Sequence, residues 1–566
     1  MRSRNTARKS GSRTLVFAAL IAAASIVLAA CSSPGSARTS GSDELTVRVA
    51  AGASGPFTSQ FNPLLNASKD ASGNSSYVMF EPLMIDDVAN SRSKPWLAKS
   101  GDWSDGGKTL TIKLRDDVKW SDGQPMTGED VAFTFQLMGK YPALNFYGLP
   151  IASATAPSAD TTVVTFTKPA FQYLWSNTTP VPEHLWKDVA DPVKYTNPNP
   201  VGTGPFALKS FSPQAITLER NSNYWGEQPR VNTAQYLSFD SESSMLAALQ
   251  AGQVDWITTG TADPAAIAKQ APSKIGYWTT NPSPAMIFLY PNDAVAPTSD
   301  PHLRLAISQA IDRANVSKLA FGDKNAPAES PTGLDPKSRA TSIAPQYLDL
   351  TFSGTGAEAA KQTLISAGYT AGTSGTFSTP GGKPLQLTLT VPTTNPYGDW
   401  VRAGQAIAAD LAAAGIPTTL KTEAQPAWHT DTSNGNFQLT LRALGGILPV
   451  YDLYSRIFSQ SELTPEGKSA NANYQRYTNP QAGQLLADFA ASAPDSAGEK
   501  TALAGLEKLM VDQAPIIPLF HISGVGMWRT DRFTGWPSQN DQYAVPTANH
   551  NNAEEVLTAI RPASTK

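Results

Sequence analysis

The stretch TLTIKLRDDVKWSDGQPMTGEDVAFTFQLM, residues 109–138, decides the fold class. Leu110, Ile112 and Leu114 alternate with Thr111, Lys113 and Arg115, the period of a strand with one buried face. The strand should end at Asp116-Asp117. Val118 and Trp120 lead into Ser121-Asp122-Gly123, where an Asp side chain can bond its own backbone and Gly tolerates positive φ, so a turn is expected there. Thr127 then suits an N-cap, and Asp130 can reach back in capping-box fashion before Val131, Phe135 and Met138 recur on one helical face. A strand, a turn and a helix in this order belong to an α/β chain. Nothing in the stretch is catalytic.

Taken as one string, LRDDVKWSDGQPMTGEDVAFTF (114–135) resembles the signature of the extracytoplasmic solute-binding proteins of ABC importers, family 5, the oligopeptide-binding type. Further matches are YVMFEPL (77–83), VGTGPF (201–206) with LERN (218–221) and YWG (224–226), Arg304 with AIDR (310–313), and PIIPLF (515–520). The resemblance implies a two-lobed, type II periplasmic-binding-protein fold with an extra small domain inserted in the first lobe. It implies boundaries as well: 43–290 for the first lobe, with the insertion at about 80–200, then 291–520 for the second lobe and 521–566 for a C-terminal return to the first.

The first thirty residues read as a leader. Arg2, Arg4, Arg8, Lys9 and Arg13 precede an apolar run, Leu15 to Ala30, too short to span a bilayer comfortably. Leu28-Ala29-Ala30-Cys31 resembles a bacterial lipobox around the single cysteine of the chain. A lone cysteine makes no internal disulfide, so Cys31 is expected to be the lipidated first residue of the mature protein. Residues 31–42, rich in Ser, Gly and Ala, read as a tether. The mature domain is thus expected outside the cell, anchored to the outer face of the cytoplasmic membrane. An uncleaved membrane anchor, or a soluble export with a free thiol, is the alternative.

Composition bounds the rest. Removing the five cationic leader residues takes the formal charge from −3 to −8, and no basic run remains for nucleic acid. More than 500 residues exceed what one core supports, and 44 prolines, 41 glycines and only 16% charged residues suggest many loops between well-buried elements. No second apolar run suggests a membrane span. The five histidines, His184, His302, His429, His521 and His550, are isolated, without HExxH, HxH or a cysteine pair, so neither a metal nor another cofactor is expected. Ser91-Arg92-Ser93-Lys94 fits the S-x-x-K of exported penicillin-recognising hydrolases. Pro95, however, disfavours the helical geometry that Lys94 would need. The glycines around Thr203 are no phosphate loop, because no Lys-Ser/Thr follows and Pro205 blocks the required helix. They suit a tight crossover instead.

A binding protein needs no catalytic residue: two lobes close on a solute that contacts both, and an importer recognises the closed form. The resemblance implies permease and ATPase partners and a monomeric binding protein. It also brings Phe61-Asn62-Pro63-Leu64 near the ligand cleft, with Asn62 as a contact. Peptide-binding relatives carry a tryptophan and an acid after a second-lobe strand. Here that place is LRALGGILP (441–449), with Gly445 and Gly446 at the ligand and no acid before Asp452. By contrast, NPYGDW (395–400) resembles the subgroup that binds cellobiose-type oligosaccharides. Trp400, Trp428, Asp399 and Asn395 are the residue types that sugars require, flat apolar faces with neutral or acidic acceptors. Trp428, in AQPAW (424–428), is expected to face the cleft because Pro426 and polar neighbours argue against a core stripe, whereas Trp400 also fits the stripe of its own helix. An oligosaccharide is favoured over an oligopeptide. A dipeptide or nickel-complex binder and a serine hydrolase remain the alternatives.

Overall fold

The computed structural model describes residues 45–563, save 54, 66–67, 69–70, 88–91, 262, 272, 281–284, 323, 353–354, 394–397 and 445–448. The leader, Cys31, the tether, Ser91, Asn395, Gly445 and Gly446 therefore lie outside the described residues.

The chain begins with β1 (Thr46–Ala50). The expected strand-turn-helix follows after β2 (Ala98–Ser104), as β3 (Thr109–Leu114) and helix α1 (Gly128–Lys140). Thr127 and Asp130 form the capping box, with Thr127 N–H 2.8 Å from Asp130 Oδ2. Trp120 Nε1 donates to the same carboxylate at 3.3 Å, tying the turn to the helix. β4 (Ile151–Ser158) and β5 (Thr161–Phe166) complete a four-stranded antiparallel sheet in the order β2-β3-β5-β4. α1 presses on the β4–β5 hairpin at Gly128, where a Cβ would come within 2.7 Å of the Ser158 and Thr161 carbonyl oxygens. This sheet and α1 enclose a core of their own, with Leu110, Ile112, Trp120, Val131 and Phe135. Residues Glu183–Trp186 form a short helix.

β6 (Phe206–Ser212), β7 (Ala215–Arg220), β8 (Thr233–Leu237), helix α2 (Glu242–Ala251), β9 (Trp256–Thr259) and β10 (Ile275–Thr280) belong with β1. β11 (Met286–Pro291) does not. It pairs antiparallel with the later strands 439–444 and 517–521, so the chain crosses to the second lobe before residue 286 rather than after 290 as expected. The reason lies in its composition. Ile287 and Leu289 point into one core, and Met286, Phe288 and Tyr290 into another, as suits a central strand covered on both faces.

The second lobe continues with α3 (Pro301–Ala310) and α4 (Arg313–Phe321), capped by Asp300 and Asp312. The sequence reads as one helix to Gly322. The structure breaks it at Ile311, which leaves the helical region, so that Arg313 Nε can donate to the Pro518 carbonyl at 2.8 Å. There follow β12 (Leu387–Pro392), α5 (Gly398–Ala413), β13 (Thr418–Glu423), α6 (Gln425–Asn434), β14 (Leu439–Leu444), α7 (Val450–Phe458), α8 (Ala497–Gln513) and β15 (Ile517–His521). The five-stranded order is β13-β12-β14-β11-β15. β15 stays in this lobe. The strand that returns to the first is β16 (Gly524–Arg529), which enters the seven-stranded sheet β10-β16-β9-β1-β8-β7-β6. A last helix, α9 (Ala553–Ala559), packs on the first lobe.

Candidate functional site

Crossovers from β10 to β11 and from β15 to β16 join the lobes, and the described ends of the first lie beside the second. Thr280 Oγ1 accepts from Gly524 N–H at 3.1 Å, and Ile522 N–H donates to the Ala285 carbonyl at 2.7 Å. Register fixes what faces them. β1, β8 and β9 are parallel and end where β16 begins, since Thr259 lies opposite Val525 and Thr280 opposite Gly524. In the other sheet β12, β13 and β14 are parallel, and Leu444 at the end of β14 lies opposite Met286 at the start of β11. Both sheets thus turn the carboxyl ends of their parallel strands towards the crossovers, the edge at which open α/β sheets bind ligands. A small cavity opens at this edge of the second lobe, lined by Met286, Leu444, Leu453, Asp335, Arg339 and His521.

The residues expected at the site meet different fates there. Asp399 begins α5 at this edge, and its carboxylate pairs with Arg402 and, at 3.6 Å, with Lys324. Trp428 is corrected from a cleft-facing residue to a core residue. It is 5% exposed, its Nε1 donates to Thr440 Oγ1 at 3.0 Å, and Trp400 meets it edge-on at 5.9 Å. Pro426 misleads here: it occupies the first turn of α6, where proline fits a helix, so Trp428 sits on a helix and not in a loop. Trp400, at 7% exposure, belongs to the same core. Asn62 is corrected likewise. It is fully buried, with its amide donating to the Pro192 and Tyr195 carbonyls at 2.9 and 3.0 Å and accepting from Leu64 N–H at 3.0 Å. It splices two segments together and is shut off from solvent.

The residue that sequence reading missed is Glu81. It is fully buried and accepts from Trp96 Nε1 at 2.7 Å, from Trp225 Nε1 at 3.0 Å, and from the Thr203 and Tyr224 hydroxyls. Burial, the largest influence, pushes its carboxyl up to about 7 against these hydrogen bonds. The motifs read separately in the sequence meet around this side chain. Arg115 stacks on Trp225 at 4.2 Å, and Ser121 N–H donates to the Gly202 carbonyl at 2.8 Å. Glu554 of α9 adds a second buried carboxyl, raised by burial and by Glu81, whose oxygens have no hydrogen-bond partner among the described residues. The only hint in the sequence was that Glu81 is acidic within an otherwise apolar run.

Lys94 lies on an extended strand, Arg92–Pro95, and pairs with Glu555, so no helix presents it to a serine. Among the described residues no cluster of three or more His, Cys, Asp or Glu could hold a metal ion, and no helix is long and apolar enough to cross a membrane.

The sequence profile of the bacterial extracellular solute-binding proteins, family 5 (Middle), matches residues 92–463. Protein XP55 of Streptomyces lividans is 28% identical over 560 residues, 95% of each chain. Among solved structures, the periplasmic oligopeptide-binding protein of an oligopeptide ABC transporter from Thermotoga maritima superposes with a TM-score of 0.80 at 24% identity, over 92% of this chain and 99% of that one. The structure of that protein with mannohexaose bound gives a TM-score of 0.75 at the same identity and coverage. The architecture is the two-lobed type II periplasmic-binding-protein fold. The chain belongs to family 5 of the bacterial extracellular solute-binding proteins, the extracytoplasmic substrate-binding components of ABC importers, which are transport proteins and not enzymes.

Proposed function

We propose that this protein captures an oligosaccharide between its lobes and delivers it to the permease and ATPase subunits of an importer, while Cys31 carries a lipid that keeps it at the membrane. The observation that carries the capture site is the pair of carboxyl edges meeting at two adjacent crossovers. What favours a sugar is the state of Asp399. Its carboxylate already serves two cations, so a free ammonium group arriving there would meet Lys324 and Arg402 rather than an open anion. The mannohexaose-bound structure of the Thermotoga maritima protein supports the same class. That protein's oligopeptide-binding name supports the second reading, a peptide. We also take residues about 80–200 as a small domain inserted in the first lobe, a division supported by the separate four-stranded sheet and core.

The test is a thermal-shift screen of manno- and gluco-oligosaccharides beside di- to hexapeptides. A solute that binds only the folded state raises its stability by about 2.7 kcal/mol at a hundredfold excess over Kd. A shift with oligosaccharides is expected, and a response to peptides alone would overturn the sugar. For the anchor, Cys31→Ser should move the protein from the membrane to the soluble fraction, because the lipid supplies the apolar term that holds it there. Undiminished membrane retention of the processed variant would refute the lipid.

A further inference from the structure

Residues 171–175, Phe-Gln-Tyr-Leu-Trp, leave the end of the β4–β5 hairpin at which Ile151 pairs with Phe166. Two rings fasten this segment to its own sheet. Phe171 lies against Gly107 and Trp175 against Gly101, so closely that a Cβ on either glycine would stand 2.4 or 2.3 Å from the ring. Phe171 also packs on Trp103 at 5.4 Å, and Leu174 is buried. Between these anchors Gln172 and Tyr173 reach the second lobe. Gln172 Nε2 donates to the Ser492 carbonyl at 3.1 Å and to Glu499 Oε1 at 2.9 Å. The Tyr173 ring stands 5.2 Å from Tyr451 of α7, and their side chains share a hydrogen bond. From the other side of the same hairpin end, Phe146 receives the Arg456 guanidinium at 5.4 Å, with Arg456 Nε held by Asp452 at 2.9 Å.

We propose that this segment is a clasp that draws the lobes together before any solute binds, with Gln172 and Tyr173 as positioning residues acting through Glu499 and Tyr451. The clasp rests on the reading that the lobes close on a solute. Its contacts are few and polar or aromatic, the scale suited to biasing a two-state equilibrium rather than locking it. Apparent affinity scales with the fraction of molecules in the binding-competent state. Loosening the clasp therefore weakens every solute by one common factor, whereas removing a solute contact changes the ranking of solutes.

Small-angle scattering of the purified, solute-free protein tests this directly. Tyr173→Ala combined with Arg456→Ala should enlarge the radius of gyration without lowering the melting temperature appreciably, and should weaken all bound solutes together, by roughly tenfold. Identical scattering from the wild type and a folded variant would overturn the clasp. A further measurement covers a variant that fails to fold: Gln172→Cys with Glu499→Cys, in a Cys31→Ser background, should be joined by a short bis-maleimide cross-linker, which spans the length of the two removed side chains, with no solute present. A folded protein that does not cross-link would also overturn it. If scattering and cross-linking behave as expected while only peptides in the panel bind, the sugar reading falls and the clasp stands.

Discussion

The knot around Glu81 in the first lobe and the tryptophan pair in the second are both built from aromatic side chains and polar groups, and they differ in what the polar groups do. At Glu81, two indoles and two hydroxyls, one of them from the Thr203 of a Gly-Thr-Gly turn, converge on one carboxyl. At Trp428, a single indole N–H is passed inward along a chain, to Thr440 Oγ1 and from there to the Thr390 carbonyl at 2.8 Å, and the rest of the ring is apolar core. The knot gathers four sequence motifs around a carboxyl that is buried from solvent. The tryptophan pair has the residue types of a solute platform and is packing. Motifs that mark this family thus report how the first lobe is knotted together, and say little about what lies in the cleft.

The sharpest break of that comparison is Trp428→Ala. If the ring is core, removal should cost about 3–5 kcal/mol of stability through the cavity and the lost contacts, read as a lower urea midpoint with no solute present. Unchanged stability with lost solute affinity would restore the residue to the cleft. Next in size is Gly202→Ala in the knot. A Cβ there would sit 2.0 Å from the Met79 carbonyl oxygen, a backbone atom that cannot swing aside. A loss of about 3 kcal/mol is expected, at the upper end of overpacking costs, and a neutral substitution would mean that the motif serves something other than close approach.

The two regions should also differ in pH response. Burial pushes Glu81 and Glu507 up to about 7 and raises Glu554, all from an ordinary value of 4.5. An acid whose folded pKa lies above its unfolded one binds protons preferentially in the folded state. Its stabilisation is complete below pH 4.5 and disappears as the pH rises through about 7. Unfolding midpoints should therefore fall between pH 5 and 8, and Glu81→Gln or Glu554→Gln should flatten the slope while Trp428→Phe leaves it alone. A slope insensitive to both glutamine variants would dissociate it from the knot. The smallest effect belongs to Asp399→Asn. Its ion pairs are partly exposed, so about 1 kcal/mol or less of stability is at stake. Affinity for sugars should persist in part, since an amide still accepts from a hydroxyl. A collapse confined to ligands with a free amino group would reverse the preference for sugar.

Periodicity and caps were enough to place elements whose signals are local. The strand-turn-helix at 109–138 with its capping box stands where the sequence puts it, and of Asp240 and Ser241, either of which could cap α2 by residue type, it is Ser241 that does so, because each feature depends on a few neighbouring residues. The family, and with it the two-lobed architecture, was legible for the same reason: its signatures are runs of consecutive residues. What tertiary structure alone decided is which side chains are left over once the core is packed. Asn62 has the chemistry of a solute contact until carbonyls 130 and 133 residues away take its amide. Asp399 is an open acid in the sequence until Lys324 comes across from the end of α4. Glu81 is one acid among many until Trp96, Thr203, Tyr224 and Trp225 surround it. Burial and pairing are sums over residues remote in the chain, so no local pattern encodes them, and a site made of what packing leaves exposed is the last thing a sequence reveals.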